Sequence, residues 1–220
     1  MALIEQKYIL LIMNCEKYRD KAESQKETWL RHLSEKLIYF HVIGIPNLET
    51  PFRFDTDKHI LYVQTEDDYN SLPKKVIHAY NAVLDAYMFT YIFKTDDDQN
   101  LLQPTFFDIV VNLLEKKTPK VHYGGNVVDV TIPYKSQYYR LHPELPKDLL
   151  IQSTKYCSGR FYLLSWESVL CLSNKKNIIG KEYLEDYAIG YHLSSYLKDT
   201  MLHIHTDKYF IDKEPLLLPK

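Results

Sequence analysis

The chain has 220 residues, 45% of them hydrophobic and 25% charged, and its 27 basic and 29 acidic side chains leave a net charge of −2. A chain of this size buries roughly 70% of its unfolded surface, so it needs neither a disulfide framework nor a structural metal to fold. The charge balance excludes a general electrostatic grip on nucleic acid, and the longest apolar run, residues 8–13, is too short to cross a bilayer.

In chain order, residues 8–13 (YILLIM) read as a strand buried on both faces. Residues 16–34 predict a helix with an apolar face at Tyr18, Ala22, Trp29 and Leu33. A second strand spans 37–43 and ends at Gly44 and Pro46; 47–58 read as loop and 60–63 as a third strand. The clearest helix carries Val76, Ile77, Tyr80, Val83, Leu84, Tyr87 and Met88 at helical spacing. Ser71 is its expected N-cap, with Pro73 in the first turn. Residues 91–94 (YIFK) form a fourth strand that runs into Asp96, Asp97 and Asp98. A helix over 104–117 follows, then strands near 121–123, 126–130 and 161–164. Helices near 166–172 and 184–197 and a strand over 201–205 complete the pattern. The tail from Glu214 holds two prolines and three leucines. Strands alternating with helices imply an α/β chain of one domain, residues 1–220, with a Rossmann-like, mostly parallel sheet.

Ligands of such sheets bind beyond the carboxyl ends of the strands, and the three aspartates stand just past the fourth strand. Adjacent carboxylates repel one another, and a hard divalent cation, Mn²⁺ or Mg²⁺, would relieve that. The bland alternative is a solvated acidic turn. Glu185 and Asp186 open a predicted helix, where the dipole favours acids; Asp186 could equally serve as a general base. His203 and His205, two apart in a strand, face one side and could join a metal. Cys15, Cys157 and Cys171 match no zinc spacing and read as reduced thiols or as one Cys157–Cys171 bridge. Nineteen tyrosines against six glycines leave no glycine-rich phosphate loop. Tyr134, Tyr138 and Tyr139 are candidates for stacking on a sugar.

Five stretches, in order, resemble glycosyltransferase family 31, the β1,3-galactosyltransferases and Fringe enzymes. They are Lys26-Glu27-Thr28-Trp29, the acidic stretch from Asp67 to Lys74, Phe93-Lys94-Thr95-Asp96-Asp97-Asp98, the block from Tyr156 to Ser165, and Glu185-Asp186-Tyr187-Ala188-Ile189-Gly190. The resemblance implies a GT-A fold, a UDP-sugar donor, a Mn²⁺ ion, inversion at the anomeric carbon and a glycan or glycoconjugate acceptor. On matched positions it implies Asp98 and a late histidine, His205 or His203, on the metal, and Asp186 as base. Asp96, Asp97, Lys74, Ser158, Gly159 and Glu185 would lie around the donor. The chain departs from the family pattern at Gln99, where an apolar residue is usual, and matches it poorly over 125–156. It lacks the family's usual anchor and stem, which implies a compact bacterial or viral relative in the cytoplasm, that of the host if viral, or a trimmed Golgi-lumen enzyme. Two other readings stand beside transfer: a two-metal phosphodiesterase or phosphotransferase, and a non-catalytic binder of UDP-sugars.

Overall fold

A computed structural model describes residues 3–212; the tail from Glu214 lies outside the described residues. The strands that build the site are β1 (Tyr8–Met13), β2 (Leu37–Gly44), β3 (Phe52–Asp55), β4 (Ile60–Val63), β5 (Tyr91–Asp96), β6 (Gln99–Leu101), β7 (Tyr123–Val130), β8 (Thr154–Ser165), β9 (Leu202–His203) and β10 (Phe210–Asp212). The helices are α1 (Arg19–Glu27), α2 (Leu72–Ala86), α3 (Phe106–Lys116), α4 (Trp166–Ser173), α5 (Lys176–Ile179) and α6 (Glu185–His192). Among the described residues, eight strands form one sheet in the order β9-β7-β8-β5-β1-β2-β4-β3. Its centre, β5-β1-β2-β4, is parallel, as right-handed crossovers require. The long strand β8 runs antiparallel between β5 and β7.

Strand β1 explains the three layers. Ile9, Leu11 and Met13 point to one core with α2, α4 and α6, while Tyr8, Leu10 and Ile12 point to a second core with α3 and the segment after α1. Each such aliphatic side chain contributes about 1.5–3 kcal/mol when fully buried, which is why an unbroken apolar run becomes a central strand. Helix α2 buries Val76, Ile77, Tyr80 and Val83 as its stripe predicts.

Several boundaries differ from expectation. The helix expected over 16–34 is broken: α1 covers nine residues, flanked by 3₁₀ turns at Glu16–Tyr18 and Leu30–His32. Residues 47–58 are not all loop, because β3 pairs antiparallel with β4 at the sheet edge. Helix α2 stops at Ala86, and Tyr87–Met88 pairs with Ile4–Glu5 instead. Ser71 makes no side-chain cap; the Asp68 carboxylate accepts the Ser71 N–H at 2.8 Å and does that work. The helix expected over 184–197 ends at His192, and the strand expected over 201–205 shrinks to Leu202–His203. All three cysteines are free, so the Cys157–Cys171 bridge does not form. Among the described residues no helix is long and apolar enough to cross a membrane.

Candidate active site

A cleft of about 850 Å³ opens at the carboxyl ends of β1 and β5, within the usual range for a small-molecule site. Asp96, Asp97, Asp98, Gly159, Glu185 and Asp186 all line it. The two acidic blocks, far apart in sequence, therefore share one chamber.

The aspartate turn is gripped from behind. Gln25 Nε2 donates to the Asp96 carbonyl (3.2 Å) and the Gln99 carbonyl (2.9 Å), and Trp29 Nε1 donates to the Gln99 carbonyl (3.2 Å). The Asp97 N–H donates to the Met13 carbonyl (3.1 Å), tying the turn to β1. The three carboxylates then diverge. Asp96 pairs with Lys94 (2.7 Å) and Asp97 with Lys21 (3.1 Å). Burial pushes both up to about 6, against the pull of those lysines. Asp98 accepts from the Gln99 side-chain amide, at 2.8 Å. The same amide donates to Asp212 on β10 (2.8 Å), and Arg160 Nη2 clasps both oxygens of Asp212 at 2.8 and 2.9 Å.

Lys94 is the buried hub. At 1% exposure, its ammonium meets Asp96, Glu185 (3.1 Å) and the Gly159 carbonyl (2.8 Å). Burial opposes its charge, but the two carboxylates outweigh that and hold it above the ordinary lysine value. Glu185 continues the chain to the Tyr162 hydroxyl, which meets that of Tyr80 at 2.6 Å. Asp186 is aimed differently. Its Oδ2 accepts the Gly159 N–H (2.9 Å) and its Oδ1 the Tyr187 N–H (2.7 Å). Burial, only partly offset by Lys94 and these two donors, raises it above the ordinary aspartate value. Gly159 lies between the blocks: a Cβ there would sit 3.6 Å from both Asp186 Oδ2 and Asp96 Oδ2.

Galactosyltransferase is the family model that matches this chain, across residues 19–201. The chain belongs to the galactosyltransferase family. Nothing among the curated proteins matches it. Of solved structures, a glycosyltransferase involved in glycosylation of the major capsid of PBCV-1 superposes with a TM-score of 0.52 at 7% identity, over 91% of this chain and 83% of that one. A 4-diphosphocytidyl-2C-methyl-D-erythritol synthase gives 0.48 at 14% identity (97% and 94% covered). The Saccharomyces cerevisiae mannosyltransferase Ktr4p gives 0.46 at 9% (86% and 65%). At 7% identity the likeness to the first of these is one of fold alone, the mixed α/β layering of GT-A glycosyltransferases.

The family's sequence blocks acquire distinct tasks in this structure. Trp29 of the first block grips the aspartate turn. In the second, Asp67 accepts from the Gly44 N–H (3.0 Å), the Glu16 N–H (2.9 Å) and Lys75 (2.8 Å). Lys75, not Lys74, enters the cleft; Lys74 is exposed and its stem lies beside Gly180. Neighbours on a helix point about 100° apart, so the docking of α2 decides which one faces inward. Residues 158–161 form a bulge in β8 rather than a free turn, with Gly159 in the cleft and Ser158 outside its lining. Tyr134 and Tyr138 line the cleft, while Tyr139 packs on a satellite cluster with Val130 and Tyr187. His203 and His205 are exposed and outside the lining; their rings face each other at 4.5 Å. The chain just after His205 returns to the aspartate turn: Arg160 joins Asp207 to Asp212, and Asp212 shares the Gln99 amide with Asp98.

Sequence reasoning gave no role to Lys94, although a lysine inside an apolar central strand signals a buried ion pair. It also missed Asn14, Tyr69, Lys75, His142, Glu144 and Tyr156 in the lining. Gly190 explains the glycine of the last block: a Cβ there would lie 2.2 Å from the Tyr156 Cβ and 2.6 Å from its Cα. This contact seats α6, with Asp186, against β8, with Gly159. Gly190→Ala should cost about 1–3 kcal/mol by overpacking, read as a lower urea midpoint with unchanged slope; a midpoint equal to wild type would mean that the helix shifts freely.

Among the described residues, nine carboxylates and three lysines line the cleft, and Lys75 and Lys94 are already paired. A diphosphate entering alone would meet net repulsion. Among the described residues, no group of three or more His, Cys, Asp or Glu side chains is arranged to hold an ion unaided. The donor set does fit a hard ion carried in by phosphate oxygens and completed by one carboxylate, and Asp98 is, among the described residues, the carboxylate of the turn that makes no salt bridge.

Proposed function

We propose that the chain transfers a sugar from a UDP-sugar to a hydroxyl of a glycan or glycoconjugate, with inversion and with Mn²⁺ or Mg²⁺ present. The observation that carries this is the convergence of Asp186 and the aspartate turn on one cleft, with Gly159 and the Lys94 ammonium between them. Asp98 would hold the ion together with the donor diphosphate, where its charge would offset that of the leaving UDP. Lys94 fixes Asp96 and Glu185, which turns the acidic wall into a rigid frame rather than a repelling one. Asp186 takes the proton of the acceptor hydroxyl; both its oxygens keep a lone pair beyond the backbone bonds they accept. The freed acceptor oxygen bonds to the anomeric carbon as the bond to the diphosphate breaks, and the product is β-linked if the donor is α.

Calorimetry with UDP, with and without Mn²⁺, tests the donor reading. Binding of UDP should be strong only with the ion, and Mn²⁺ alone should bind weakly, because Asp98 is its one free ligand in the turn. UDP that does not bind under either condition overturns the proposal. The raised Asp186 value sets the pH response. The base works only when deprotonated, so kcat/KM should fall as pH drops, with the acid limb above the ordinary aspartate value of about 4. A profile flat down to that pH would remove Asp186 from the base role.

A further inference from the structure

The half of the cleft beyond Asp186 is lined by Tyr69, Tyr134, Tyr138, Tyr156, His142 and Glu144 and, among the described residues, by no lysine or arginine. The His142 ring lies flat on Tyr69, with 3.9 Å between centroids and 8° between planes. Its Nδ1 is 3.5 Å from the Glu144 carboxylate. Tyr134 and Tyr138 are 45% and 49% exposed, so ring surface is open to a ligand. Tyr156 is fixed edge-on against Tyr187 and backed by Gly190. Burial first, and then the Asp186 charge, raises the phenols of Tyr69, Tyr138 and Tyr156, which keeps all three neutral donors around that carboxylate. The cleft's lysines are elsewhere: Lys75 on Asp67, Lys94 on Asp96 and Glu185, and Lys17 beside the Tyr18 ring.

Aromatic faces suit the C–H face of a pyranose, and phenols suit its hydroxyls. A carboxylate or phosphate on the incoming sugar would instead sit beside Asp186 and Glu144, where among the described residues this half of the lining offers no lysine or arginine to pair with, and like charges placed together suppress binding. We infer that this half is the acceptor subsite and takes an uncharged pyranoside, held by the Tyr69–His142 pair and the open faces of Tyr134 and Tyr138, while rejecting the same sugar bearing an acid. The inference rests on the transfer reaction proposed above.

The test uses the whole chain with Mn²⁺ and a UDP-sugar that it hydrolyses. UDP release is measured with p-nitrophenyl α- and β-glucosides and galactosides, each beside its C6-carboxylate counterpart. A neutral member should stimulate release, and its uronide should do so at least about tenfold less. Tyr138→Ala and His142→Ala should each raise the KM of that neutral acceptor about tenfold, the size of one aromatic contact, while calorimetric UDP affinity stays at the wild-type value. Equal use of the uronide, or an unchanged acceptor KM in both variants, overturns the inference. If UDP binds but no pyranoside stimulates its release, the subsite assignment alone falls; if UDP does not bind, the donor reading falls with it.

Discussion

Asp186→Asn should lower the rate of the proposed sugar transfer by about 10²–10⁴-fold, the share that a positioned general base supplies, while the proposed Mn²⁺-dependent binding of UDP persists. The side chain keeps its shape, but no oxygen remains that can take a proton. The variant carries an internal check. Wild-type Asp186 accepts two backbone N–H groups, from Gly159 and Tyr187. Asparagine can accept only one and turns its amide N–H toward the other, so some local loosening is expected. Thermal denaturation beside the UDP titration separates that effect from lost chemistry. A variant that transfers at the wild-type rate would end the assignment of Asp186 as base.

Lys94→Met should be the most damaging change to stability. It leaves Asp96 and Glu185 facing each other without the ammonium that both contact. Breaking a buried ion pair from one side costs about 3–5 kcal/mol, a large part of the 5–15 kcal/mol that holds a typical domain together. The sign of its pH dependence follows from the carboxylates. Both are already raised by burial and held back by Lys94. Without the lysine they rise further, so the folded variant holds protons that the unfolded chain releases at ordinary carboxylate values. Its stability therefore declines as pH climbs through that window, and its deficit against wild type narrows in acid. Urea denaturation near pH 5 and again near pH 7.5 measures both. Glu185→Gln added to Lys94→Met should recover part of the loss by removing one of the stranded charges. Equal deficits at the two pH values would contradict this account.

Much of the architecture could be read before any coordinates. YILLIM needs two apolar faces, the α2 stripe repeats at helical period, and Asp96 to Asp98 follow a buried strand. Those features are local, and local physics decides them. What could not be read depends on docking between distant segments. Strand β3 is half-exposed and carries Arg53 and Asp55, so its sequence looks like loop until β4 is beside it. Lys74 and Lys75 differ only in helix phase. The stretch from Gln137 to Glu144 shows no helical or strand period; Tyr138 is legible in it as a candidate stacking ring, but His142 and Glu144 are not. Its relevance comes from the pairing of Tyr134–Lys135 with Leu150–Ile151, which folds the loop back over the cleft.

The Gln99 bridge has a bearing on how the molecule is made. Its amide joins Asp98 to Asp212, a partner 113 positions further along the chain, and β6 pairs with β10 along the same seam. A ribosome that has delivered everything through α6 has already supplied every acidic residue of the cleft. The turn bearing Asp98 still lacks the strand that completes it. Completion of the turn therefore waits for β10, and a protease that cut between Thr206 and Asp212 would loosen the Gln99–Asp212 side of the bridge without touching a residue that lines the cleft.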